Sequence, residues 1–156
     1  FHAPGTDYPL FQALKKYVYD KGNGSGDWNR VGEVLYNRGL INAVFDTEAM
    51  RAAQAHFKKK AITGEDMRWG LEHDEIPADR LKQLGLDGFT HPIKVSCNDH
   101  EGNGPVAFQQ WDGKAWKKIS DWVPPMADVV RPAIEAAAAD EAKKLGYSWR
   151  SCKSEN

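Results

Sequence analysis

Apolar positions recur at helical spacing over most of this chain and change to a strand-like pattern only after about residue 88. Between residues 8 and 20, Leu10, Leu14, Tyr17 and Val18 share one face, while Lys15, Lys16 and the following Lys21 lie off it. This predicts an amphipathic helix, with Asp7 as N-cap and Pro9 in the first turn. The run Lys21-Gly22-Asn23-Gly24-Ser25-Gly26 ends it in a flexible connection. A second helical region spans 27–57 and is clearest late, where Ala49, Ala52, Ala53 and His56 repeat at helical spacing among strong helix formers. Gly39 predicts a break or bend near Tyr36-Asn37-Arg38-Gly39. Thr63 with Asp66 three residues on approximates a capping box and predicts a helix over 64–72. Residues 77–84 predict another, ended by Gly85.

Beyond Gly88 the pattern predicts a short strand over 93–97 and a hairpin with arms 106–111 and 114–120. Asp112-Gly113 forms the turn between them, because Gly accepts the positive φ that a two-residue hairpin turn requires. Apolar residues stand on both hairpin faces, so it should be covered on both sides or pinned beneath a helix. After Pro124-Pro125 an Ala-rich helix is predicted over 127–145, with Gly146 at its end and a true start near Arg131 that would place Pro132 in the first turn. There are no internal repeats. Helices this apolar ordinarily cover a sheet, and few strands are present to serve as one.

The 156 residues suffice for one ordinary domain. With 41% hydrophobic and 28% charged residues and a formal net charge of −1, there is no reason to propose nucleic acid or an anionic membrane as the main partner. Lys58-Lys59-Lys60 reads as a solvated helix end. No apolar run approaches the roughly 20 residues of a membrane span. A signal peptide is not seen, and Phe1 reads as a processing or proteolytic boundary. Ser154-Glu155-Asn156 carries no argument.

Cys97 and Cys152 are either two buried thiols or a disulfide. Export to an oxidising compartment favours the disulfide, which would close a loop of about 55 residues and contribute on the order of 3–4 kcal/mol by loop-closure entropy. Asp99-His100-Glu101-Gly102-Asn103-Gly104 holds metal-ligating and acid–base residue types, but adjacent residues on an extended loop diverge, and a polar turn accounts for them equally. His2, His56, His73 and His91 are scattered, with no HExxH, nucleophile-elbow or phosphate-loop motif. The six tryptophans, Trp28, Trp69, Trp111, Trp116, Trp122 and Trp149, serve either as core and edge residues or as a ligand platform; packing on the C-terminal helix is expected of Trp111 and Trp116. Tyr36-Asn37-Arg38 offers an aromatic wall, an amide and a guanidinium, the chemistry that holds a small zwitterion or carboxylate. Its plainer reading is a helix turn with a buried Tyr and a solvated Arg.

The segments YPLFQALKKYVYDKG, VGEVLYNRGLINAVFDTEAMRAAQ, ITGEDMRWGLE and HPIKVSCNDHEGNGPVAFQQWDGKAW, in that order, resemble the C-terminal part of a type I periplasmic solute-binding protein of the branched-chain amino acid class. The resemblance implies an α/β fold, the C-terminal portion of a two-lobe type I periplasmic-binding-protein fold. Residues 1–26 would belong to the second lobe, 27–92 to the helical part of the first, and 93–156 to the last crossover, hairpin and final helix. It implies extracytoplasmic, periplasmic capture of a small solute, such as an amino acid, aromatic acid or amide, and delivery to the permease subunits of an ABC importer. No catalysis, cofactor or metal is implied. Ligand contacts carried over by position are Tyr36, Asn37 and His2. The missing N-terminal portion, another chain or a rearranged fold would have to cover the apolar face of helix 43–57, which would otherwise be exposed. The rival readings are a small α+β hydrolase or metal enzyme using Asp99, His100 and Glu101 with Cys152, and a free-standing interaction domain.

Overall fold

The computed structural model describes residues 2–102, 104–148 and 152. The expectations at Phe1, Asn103, Trp149 and Ser154-Glu155-Asn156 lie outside them. Among the described residues are five α-helices, α1 (Pro9–Tyr17), α2 (Val34–Phe57), α3 (Gly64–Glu72), α4 (Ala78–Gln83) and α5 (Ala127–Leu145). Four short strands, β1 (Glu75–Ile76), β2 (Ile93–Lys94), β3 (Gln109–Trp111) and β4 (Trp116–Lys118), form two separate two-stranded sheets. Both sheets are antiparallel, β1 with β2 and β3 with β4. The parallel sheets of a two-lobe α/β fold are not seen among the described residues.

Local chemistry accounts for most boundaries. α1 begins at Pro9 with Tyr8 in the cap position and no side-chain cap, so Asp7 does not play the role expected of it. α3 opens on a reciprocal capping box: Thr63 Oγ accepts from the Asp66 N–H at 3.2 Å, and Asp66 Oδ2 accepts from the Thr63 N–H at 2.7 Å. Lys59 Nζ adds an ion pair to Asp66 at 2.6 Å, and these contacts, Lys59 foremost, hold the Asp66 carboxyl down at about 2.

Two expected breaks do not occur. α2 runs unbroken through Gly39, whose exposed face meets open space. A Gly inside a helix costs about 1 kcal/mol, less than is gained by burying Ile41, Ala49 and Ala53 along the same helix. Likewise α5 starts at Ala127, with Pro132 inside it. Proline's missing N–H falls opposite the Asp128 carbonyl, in the solvent-exposed first turn, where water can satisfy that oxygen.

The core gathers Ala3, Phe11, Ile41, Ile76, Leu81, Leu86 and Phe89. Phe89 is its hub, stacking on His2 and meeting Tyr8 and Phe11 edge-on or tilted, with centroids 4.9–5.4 Å away. Ala3 donates its N–H to the Phe89 carbonyl at 2.6 Å and Leu10 donates to Gly85. One core therefore crosses the boundary expected at residue 26, joining residues 1–26 to 27–92. α2 is tied to α4 by a two-pronged ion pair, Arg80 to Glu48, at 2.7 and 2.8 Å.

The late half of α2 is covered in part within the chain, by α3, while Met50 and Phe57 stay exposed. α3 crosses it so closely that a Cβ on Gly70 would lie 2.2 Å from the Ala49 carbonyl oxygen. Ala49 and Ala53 are completely buried at that crossing. Beside it, Trp69 is sandwiched between the rings of His56 and His73, with centroids 3.8 and 4.1 Å away.

Most of the exposed large apolar side chains lie in the last third of the chain, with Tyr17, Val34, Leu35, Met50, Phe57 and Leu71 exposed before it. Both hairpin arms are largely exposed, and α5 buries no residue. The hairpin is thus neither covered on both faces nor pinned under a helix. Its turn also differs from the two-residue form. Trp111 pairs with Trp116, leaving four residues between, and Asp112 Oδ1 accepts from the N–H groups of Lys114 and Ala115, both at 2.8 Å. That side-chain turn lengthens the loop.

α5 is attached at two points. Arg131 pairs with Asp99 at 3.3 Å and donates to the Asn98 carbonyl. Past its other end, Cys152 is bridged to Cys97 across 55 residues, with Cα atoms 5.7 Å apart.

Candidate functional site

A cavity of about 590 Å³ opens where three segments meet: His2 to Gly5, the entry to α2 from Gly32 to Arg38, and the hairpin. Gly5 and Gly32 both take positive φ, 84° and 98°, and a Cβ at Gly32 would lie 2.7 Å from the Thr6 methyl. Both glycines thus take a backbone conformation that residues with a Cβ rarely adopt, and Gly32 also leaves room for the Thr6 methyl. Gln109 on β3 donates to the His2 carbonyl at 3.3 Å and links the hairpin to the first segment. Trp111, Trp116 and Trp122 form the aromatic side. The indoles of Trp111 and Trp116 are tilted to each other at 5.8 Å, and Trp122 meets His91 edge-on.

Polar groups stand at the α2 end. Glu33 is engaged by Arg30 at 3.0 and 3.2 Å, and this pairing lowers its carboxyl below the ordinary range. Arg38 lies on the cavity wall. The ring nitrogens of His2 face the carbonyls of Ala3 at 2.9 Å and Val34 at 3.2 Å. A neutral imidazole has one N–H and can donate to only one of them. Indole faces beside a guanidinium and an amide can seat a flat or aliphatic group with a polar edge.

The three expected contact residues separate in the structure. His2 lines the cavity. Asn37 is completely buried and donates to the Gly5 carbonyl at 3.2 Å, so it sets the floor from behind. Its side-chain oxygen has no hydrogen-bond partner. Tyr36 points elsewhere: its hydroxyl pairs with that of Tyr19 at 3.3 Å, and burial pushes it up to about 12. Trp111 and Trp116 face the entry of α2 across the cavity rather than packing on α5.

A second cluster surrounds the Asp99–Gly104 loop. His100 Nε2 lies 3.5 Å from Glu72, which is buried and paired with Arg68 at 3.1 Å. Asp99 faces Arg131 and accepts from the Glu101 N–H at 3.1 Å, a local turn contact. Asp74 lies nearby, with Phe45, Arg68, Leu71 and Val95. Burial, with the charges of Glu48 and Asp46, raises its carboxyl to about 6. His100 thus turns to Glu72 and Asp99 to Arg131, so the two do not converge on one site. Cys152 is held in the disulfide with no free thiol, and among the described residues no group of three or more His, Cys, Asp or Glu side chains is placed to hold a metal. The hydrolase reading loses both its nucleophile and its acid–base cluster.

No protein-family profile matches this chain, and no curated protein matches it. It is similar to the crystal structure of an ABC transporter permease from the Pseudomonas fluorescens group, with 41% identity and a TM-score of 0.90 over 97% of this chain. The chain spans 37% of that protein's length. The likeness supports an ABC-transporter setting. It overturns the expected identity as a periplasmic solute-binding protein, because the similar protein is a permease, the membrane subunit of such a transporter. Solute capture and delivery to a permease fall with it. Among the described residues, no helix is long and apolar enough to cross a membrane.

Proposed function

We propose that residues 2–148 form a non-catalytic part of an ABC transporter's permease component, lying outside the bilayer on the exported side. The 41% identity with a permease at a TM-score of 0.90 over 97% of this chain carries the reading. The Cys97–Cys152 bridge supports the exported side, since such bonds persist in oxidising compartments. In this role the chain supplies a shaped surface: a core-anchored body, a cavity at the α2 entry, and a helix fixed at two points.

The test is purification of the gene product from detergent-solubilised membranes of its source cells. The expected result is co-purification of an ATP-binding-cassette ATPase in near-stoichiometric amount, with vanadate-sensitive ATP hydrolysis. Recovery from the membrane fraction without any such ATPase, or recovery only as a free protein, refutes the assignment.

A further inference from the structure

We propose that the apolar groove between the 99–105 loop and the start of α5 seats a polypeptide segment of the same transporter protein that lies outside residues 1–156. The groove encloses about 670 Å³, and Met126, Val130 and Ile134 line its α5 side. These residues are spaced four apart, so they form one stripe on the helix. Met126 is 70% exposed and the adjacent Val129 66%.

Two observations identify the occupant. First, α5 keeps its place without burying a side chain of its own. In proteins most of a helix's stability comes from packing one face against the fold, and the Arg131 contact and the Cys152 bridge fix α5 near its ends without covering its length. Second, the similar permease matches 97% of this chain, too much to leave α5 out, yet the match accounts for only 37% of the permease. That protein therefore holds a large remainder of chain available to such a face. The alanines beyond Ile134 (Ala136 to Ala139) leave the helix thin along its middle, so the covering segment brings the bulk and approaches closely. An interior packing surface of this kind has a mixed polar border, here Asp99, Glu101 and Arg131.

The inference takes the transporter setting from the proposed function, but its test fails separately. A benzoylphenylalanine photocrosslinker replaces Val130 in the complete gene product, expressed as a mixture of ¹⁴N- and ¹⁵N-labelled copies. The expected cross-link joins residue 130 to a peptide of the same copy outside residues 1–156. Ile134→Asp should cut its yield at least tenfold with an unchanged circular-dichroism spectrum. Mixed-isotope pairs, which mean a second copy, overturn the proposal. So do lipid adducts, cross-links confined to residues 1–156, or no cross-link. The same-copy cross-link stands or falls whether or not an ATPase co-purifies.

Discussion

Gly70 and Gly39 are both helical glycines, and replacing each with alanine should shift stability in opposite directions. At Gly70 the added methyl would sit 2.2 Å from the Ala49 oxygen, 3.0 Å from its carbonyl carbon and 3.1 Å from Ala53 Cβ. Carbon–oxygen contacts normally stand near 3.3–3.6 Å, so α3 must retreat from α2 by about 1 Å. Overpacking of this kind costs roughly 1–3 kcal/mol. The obstruction is backbone, which cannot swing aside, so the upper end applies. Alanine's helix propensity returns about 1 kcal/mol, leaving a net loss of about 2 kcal/mol. Gly39 faces open space in α2, so the same change there should gain about 0.5–1 kcal/mol. Urea titration under non-reducing conditions, followed by tryptophan fluorescence, measures both. At ~2–4 °C per kcal/mol for a chain of this size, Gly70→Ala should melt about 4–8 °C lower and Gly39→Ala ~1–4 °C higher. A Gly70→Ala protein as stable as the parent, beside a stabilised Gly39→Ala, would show that the α2–α3 crossing is looser than the structure has it.

Asp74 should make stability fall as pH rises from about 4 to about 6. In that window the unfolded chain has released the proton, with an ordinary value of 3.8, while the folded chain holds it up to about 6. The difference is roughly 2–3 kcal/mol, so Asp74→Asn should stabilise the protein by that order at pH 7 and flatten the decline; an unchanged pH profile of urea midpoints would refute this. Lys58 ends α2 in the left-handed region, φ 54°, at a cost of about 1 kcal/mol to a residue with a Cβ. Lys58→Gly should recover part of that and raise the melting temperature by ~2 °C, and a fall would count against the cap assignment. The double change Cys97→Ser with Cys152→Ser should move the main melting transition by less than the 3–4 kcal/mol of loop-closure entropy, because α5 buries nothing in the core. Hydrogen exchange should instead accelerate over residues 127–145, and retained protection there would mean that packing, not the bridge, holds α5.

What could be read from the sequence was what neighbouring residues decide among themselves. Thr63 and Asp66 stand three apart and cap α3 as expected, and Gly85 and Gly146 end their segments in the left-handed conformation. The disulfide followed from two cysteines and a compartment argument. Distance along the chain defeated the rest. Gly39 was a poor guide because burial of Ile41 and Ala49 outweighs its local cost. Asn37 has the right chemistry for a ligand, but its partner is Gly5, 32 residues away. Of the three contacts expected from the resemblance, His2 is the one that lines the cavity. The roles of Trp111 and Trp116 depend on the hairpin folding over the entry to α2, a placement no spacing rule encodes.

The isolation of α5 has an evolutionary reading. A helix with no buried side chain and two fixed ends is free, as far as its own domain is concerned, to accept any good helix former along its length. Whatever selection acts on its middle must come from outside. A deep mutational scan across 127–145 would therefore trace, position by position, the footprint of the body it leans on.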